Sequence, residues 1–210
     1  AINLKISVED SSHASAPWLS KNAILESMVF ARELKEKLEA NQEGKTKGML
    51  LTATMTEVKG GTSHNVTPKD CETTFDIRIP VDMNCKTIEQ KIATLVKEIS
   101  QEREVEAFYS ILDETEPFEA PHNSPLVRAF TLGIMETEHS RPMLIRKTGT
   151  GDMNVLGNQW GIPVVTYGPG DPHEAHTIDE KVSVDEYLRG IEILKKTLQH
   201  LKRLHDKNIQ

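Results

Sequence analysis

Residues 49–80, MLLTATMTEVKGGTSHNVTPKDCETTFDIRIP, decide the fold. Met49, Leu51, Ala53 and Met55 recur at every second position until Lys59-Gly60-Gly61 breaks the run. Cys71, Thr73, Phe75, Ile77 and Ile79 then repeat the pattern until Pro80 stops it. A period of two with one apolar side marks a strand with one buried face. Two strands therefore follow one another directly, and helical patterns flank them on both sides. Upstream, Ile24, Met28, Ala31, Leu34 and Leu38 share one stripe, which predicts a helix over residues 21–41 that ends in the NQEGKTKG loop. Before it, Ile2, Leu4, Ile6 and Val8 alternate as a strand. Downstream, Thr87 with Gln90 gives a capping-box signal for a helix carrying Ile88, Ile92, Leu95 and Ile99 on one face. Val105, Ala107, Tyr109 and Ile111 supply a fourth strand. The order βαββαβ predicts a ferredoxin-like α+β unit, an antiparallel sheet with both helices on one face, over residues 1–112.

The acidic, proline-rich stretch DETEPFEAPHNSP reads as a connection, and the pattern then changes to α/β over residues 113–210. A helix is expected at about 124–137, a short strand at Met143 to Arg146, and a turn and short helix at KTGTGDMN. An apolar strand follows from Pro163 to Tyr167, then the loop GPGDPHEAHTIDE. Ser183 with Glu186 caps a long last helix with Val184, Tyr187, Ile191, Leu194, Leu198 and Leu201 on its stripe. Two short strands cannot make a parallel sheet covered on both faces, so this region is expected to be only the C-terminal part of an α/β domain.

Composition narrows the function. Hydrophobic residues make up 37% and charged residues 27% of the 210, and no apolar run approaches the roughly 18 residues needed to cross a bilayer. The opening AINLKISVED has no basic n-region and no apolar h-region, so this stretch is not expected to be a secretory signal. It has no Met and starts directly in a strand pattern, from which we expect residues upstream to have been removed. A net charge of −7 and a pI near 5.6 argue against a nucleic-acid partner. Cys71 and Cys85 show no framework spacing, as fits a reducing cytoplasm.

Several residues could carry chemistry. His173 and His176 lie in a Gly- and Pro-rich loop after an apolar strand, among Asp171, Glu174, Asp179 and Glu180. The loop reads either as a divalent-metal site, its imidazoles oriented by carboxylates, or as a solvated acidic loop. The GTGDMN turn offers backbone N–H groups at a helix start, an anion site or a plain cap. His13 lies in the SSHASAP loop, Asn65 before the third strand, and Arg78 beside Asp76, where a surface ion pair is the simplest reading.

Taken in order, SSHASAPWLSKNAI (11–24), SHNVTP (63–68), FDIRIP (75–80), RKTGTGDMN (146–154) and TYGPGDPHEAHTIDE (166–180) resemble the M20 peptidase and deacylase family. Within it, the similarity is greatest to the lysine-biosynthesis hydrolases that release lysine or ornithine from an amino-group carrier protein. The resemblance implies that residues 1–112 are a lid inserted into the catalytic domain and forming a homodimer. His176 then matches the family's last metal ligand, and His173 falls outside that motif. His13 matches the lid histidine that stabilises the oxyanion in the partner's active site. Asn65 and Arg78 match residues that position the substrate and its carboxylate, Gly149 and Thr150 line the pocket, and Asp152 holds the turn. The implied reaction is amide hydrolysis of an acyl-lysine or acyl-ornithine, assisted by zinc or cobalt in a two-metal site. The family's remaining ligands lie before the lid and are not in this chain, so the polypeptide alone is expected to be inactive. A succinyl-diaminopimelate desuccinylase or dipeptidase of the same family, or a non-catalytic dimerisation or small-molecule-binding module, are the competing readings.

Overall fold

In a computed structural model, which describes every residue except Thr148, His176, Ile209 and Gln210, the chain divides into compact units at 1–117 and 118–210. Strand β1 (Ile2–Ser7) leads to helix α1 (Ala23–Leu38), then to β2 (Thr52–Gly60), β3 (Asp70–Arg78), α2 (Cys85–Arg103) and β4 (Glu106–Ile111). The sheet order is β2-β3-β1-β4, and every neighbouring pair is antiparallel. β1 and β2 are thus parallel with β3 between them, and β3 and β4 are parallel with β1 between them. These are two interleaved β-α-β crossovers, the topology the alternating patterns predict.

The two helices cover one face of this sheet. Ile2, Leu4 and Ile6 of β1 and Cys71 and Phe75 of β3 are buried with Phe30 and Leu34 of α1 and Ile92 and Ile99 of α2. The other face carries Lys5, Glu72, Asp76 and Arg78, so the strands bury one side only.

Caps set the helix ends. Asn22 Oδ1 accepts from the N–H groups of Ile24 (3.0 Å) and Leu25 (3.3 Å) at the start of α1. α2 begins two residues before the Thr87 expected to cap it, because Asn84 Oδ1 accepts from the Thr87 N–H at 2.8 Å. Asn is the stronger cap here, and Thr87 is already inside the first turn. At the other end of α2 the Lys21 ammonium donates to the carbonyls of Arg103 (2.7 Å) and Glu104 (3.1 Å), where the helix dipole favours a cation.

The first unit runs beyond residue 112 for a reason. The amino group of Ala1 donates to the Asp113 carbonyl at 2.8 Å, and the Glu116 carboxylate accepts from the Cys85 N–H at 3.1 Å. Part of the acidic connection is thereby tied to the sheet and to α2.

The second unit holds α3 (Pro125–Glu138), α4 (Asp152–Trp160) and α5 (Val184–Asn208). α3 packs on α5. No strand forms at 143–146 or 163–167, contrary to the apolar patterns there. Met143, Leu144 and Ile145 are exposed instead. A strand needs a partner for its ladder, and none of the described residues of this unit provides one. No helix among the described residues is long and apolar enough to cross a membrane.

Candidate functional site

The loop after β1 brings His13 beside Asn65. Residues 12–14 pair with 65–67 in a short antiparallel bridge between His13 and Val66. The Ala14 N–H donates to the Asn65 carbonyl at 2.8 Å, and the Thr67 N–H to the Ser12 carbonyl at 2.9 Å. Val8 bonded to Lys69 (3.0 Å) and Ala23 bonded to Pro68 (3.0 Å) frame the two loops from either side.

His13 is exposed, yet its ring is oriented. Nδ1 lies 2.8 Å from Ser15 Oγ and accepts the Ser15 backbone N–H at 3.2 Å. A backbone N–H can only donate, so Nδ1 is the acceptor and the ring proton of the neutral imidazole sits on Nε2. The outward edge of the ring is therefore an N–H donor. Asn65 is held in turn, its Oδ1 accepting from Ser63 Oγ at 2.6 Å.

Arg78 is not brought to this pair. It ends β3, whereas Asn65 precedes the start of that strand, so most of a nine-residue strand, roughly 25 Å, separates them. Its guanidinium engages the Asp76 carboxylate on the open face of the sheet at 2.6 and 2.7 Å.

In the second unit Gly149, Thr150 and Asp152 stand in the turn that leads into α4. Asp152 is exposed at the helix's first position, where its charge suits the dipole. The contact that closes the turn belongs to a residue that the motif reading passed over. Asn154, buried, accepts the Gly151 N–H on Oδ1 at 3.2 Å, and its own N–H donates to the Gly151 carbonyl at 2.9 Å. The Gly-x-x-Asn spacing, a cap followed by its third helical residue, is the signal that marks it.

His173 is solvent-exposed and turned onto Asp171. Its N–H donates to Asp171 Oδ1 at 2.9 Å, and its Nδ1 lies 2.8 Å from the same oxygen. The backbone bond, then the ring, hold the Asp171 carboxyl below its ordinary range. His176 lies outside the described residues. Among those residues no three His, Cys, Asp or Glu side chains converge, so by themselves they do not fit a catalytic divalent ion, which needs at least three protein ligands.

Against this geometry, the peptidase dimerisation domain of the M20 peptidases matches residues 2–104. A protein of Saccharolobus islandicus named LysW-lysine/LysW-ornithine hydrolase is 33% identical over 146 residues, 70% of this chain and 39% of that protein. A Thermococcus kodakarensis protein provisionally given the same name is 45% identical over 94 residues, 45% of this chain and 27% of its own length. The chain thus spans about a third of these relatives. Among solved structures, a di-peptidase of Saccharomyces cerevisiae superposes with a TM-score of 0.77 at 12% identity, covering 96% of this chain and 54% of that one. An M20 family metallo-carboxypeptidase of Sulfolobus solfataricus gives 0.70 at 16% identity, over 95% of this chain and 58% of that one. These likenesses concern the fold.

Proposed function

From a chain of the M20 peptidase family, whose residues 2–104 are the family's dimerisation domain, we propose a role in hydrolysing the amide bond of an N-acylated lysine or ornithine. The observation that carries this reading is the His13 loop. It is pinned to Asn65 and turns an Nε2–H donor outward, as stabilising a developing oxyanion requires. The names of the Saccharolobus and Thermococcus relatives support lysine or ornithine, joined to a carrier protein, as the substrate. Gly149, Thr150 and Asp152 line the substrate pocket in this reading, and Asn65, beside His13, engages the substrate; Arg78, remote from that pair, does not share that contact. Zinc or cobalt, with His176 among its ligands, belongs to the same reading, and the other ligands come from polypeptide outside these 210 residues.

The homodimer forms through the lid sheet. β2 is the longer of the two edge strands, and Met55 and Val58 on it are exposed although they lie on the side that α1 and α2 cover. An edge of that kind favours pairing with a second copy.

The test uses a chain of its relatives' full length, loaded with zinc or cobalt, on acyl-lysine, acyl-ornithine and succinyl-diaminopimelate. Turnover of an acyl-lysine or acyl-ornithine is expected. His13→Ala should lower kcat by roughly 100-fold or more, the cost of losing one oxyanion donor, with the dimer intact in sedimentation. Absence of turnover on all three substrates, or an unchanged kcat in the variant, would overturn the reading.

A further inference from the structure

We propose that Ser12, Ser20 and Thr67 form a hydroxyl triad that holds His13 in register with Asn65, which makes Thr67 a positioning residue for the His13 donor. The inference rests on the reading of His13 given above. Thr67 is 6% exposed, and its hydroxyl sits where four polar groups of Ser12 and Ser20 meet. Thr67 Oγ1 accepts the Ser12 N–H at 2.6 Å and lies 3.1 Å from the Ser12 carbonyl, 3.1 Å from Ser12 Oγ and 2.8 Å from Ser20 Oγ. Ser20 Oγ also lies 2.9 Å from Ser12 Oγ, and Ser12 Oγ donates to the Ala16 carbonyl at 3.2 Å.

The protons can be placed without conflict. Thr67 donates to the Ser12 carbonyl, Ser12 to the Ala16 carbonyl, and Ser20 into the space between the other two oxygens. Each hydroxyl has one hydrogen and two acceptor lone pairs, so all three donors are used and no two compete for one acceptor position.

The need for such a device follows from the bridge it supports. Residues 12–14 and 65–67 make a pairing of minimal length at the molecular surface, and an isolated two-stranded pairing is marginal in water. His13 stands in the middle of it, with Ser12 tied to Thr67 on one side and Ala14 tied to Asn65 on the other. Its exposed ring gains no fixing from burial. The triad anchors the bridge at its buried end and also ties it to Ser20, just ahead of α1, so that the donor loop moves with the core rather than on its own.

Thr67→Val is close in shape and removes the hydroxyl, and Thr67→Ser restores it. In the 210-residue chain, amide hydrogen exchange at Ser12 and Ala14 should accelerate by about tenfold or more in Thr67→Val and return toward the parent value in Thr67→Ser, while the β1 and β3 amides stay unchanged. A loss of stability alone would move the strand amides as well. Unchanged exchange at Ser12 and Ala14, or a uniform rise across the sheet, would sink the proposal. If Thr67→Val does not fold, Ser20→Ala should raise the same two amides by about threefold, and a parent-like pattern there counts equally against the triad. In the full-length enzyme Thr67→Val should lower kcat by about tenfold with KM little changed, and Thr67→Ser should rescue it. If His13→Ala turns over like the parent, the donor reading has failed. The exchange pattern then still decides whether the triad holds the loop.

Discussion

Cys85 opens α2 with a buried thiol, and burial is the first reason that its pKa rises from 9.0 to about 11. The negative charges of Glu116 and Glu114 add to it. At neutral pH the thiol is therefore protonated in the folded chain, and it should react with alkylating reagents only slowly. In the unfolded chain the same thiol ionises near its ordinary value. Above about pH 9 the unfolded state thus holds fewer protons than the folded one, and this group makes stability fall at up to about 1.4 kcal/mol per pH unit until the folded pKa is passed. Urea melts between about pH 8 and 11 on the parent and on Cys85→Ala read that slope as their difference, and two parallel profiles would contradict it. At this same scale, it is the family resemblance of two short motifs that singles out His13 and Asn65 in the sequence, and the fold sets them side by side. Their surroundings were not legible there. Ser12 and Thr67 are 55 positions apart, and nothing in SSHASAP or SHNVTP says that those hydroxyls meet until the sheet sets the two loops side by side. Ser15 was in plain view, yet its bond to the His13 ring depends on a turn geometry that spacing does not specify.

Among the elements, the βαββαβ unit was readable because every strand in it has a partner within the same stretch of chain, so period and partner agree. The patterns at 143–146 and 163–167 are as apolar as those of β1 or β3, and they form no strand, since their backbones find no ladder among the described residues. Periodicity reports a preference for burial, and neighbours decide whether a sheet can answer it. Helix contacts show the same dependence on neighbours. Gly133 lies inside α3, where alanine normally favours the helix by up to about 1 kcal/mol. A Cβ there would stand 2.7 Å from Thr197 Oγ1, 3.0 Å from the Ile193 carbonyl and 3.1 Å from the Thr197 nitrogen, all on α5. Two of those atoms are backbone and cannot swing aside. Gly133→Ala should therefore destabilise the α3–α5 pair by about 1 to 3 kcal/mol, whereas Gly168→Ala, in a loop with nothing within 4 Å, should not. Thermal melts of the two variants give the comparison, and equal melting temperatures would show that α3 and α5 have room to part. Gly157 is a second such position, since a Cβ there would stand 2.2 Å from the ring of Phe118.

For the molecule as a whole, the proposed catalysis divides its labour between the lid, which carries His13, and the region that carries His176. The family's dimerisation domain makes a definite arrangement testable, in which the His13 of one protomer serves the site of the other. Chains of full length carrying His13→Ala keep a metal histidine but lack the donor, and chains carrying His176→Ala keep the donor but lack the ligand. Each variant alone should be nearly inactive. Co-expressed in equal amounts they assort at random, so about half of the dimers are mixed, and each mixed dimer contains one site with both histidines intact if His13 acts across the interface. Activity should then recover to about a quarter of the parent's per protomer. If His13 instead serves its own chain, a mixed dimer holds no complete site, and the mixture stays at the average of the two variants. The recovery should also fall on dilution below the dimer dissociation constant, because an isolated protomer cannot assemble the pair. Recovery that survives dilution to monomers, or none at all alongside an active parent, would place His13 outside the partner's site.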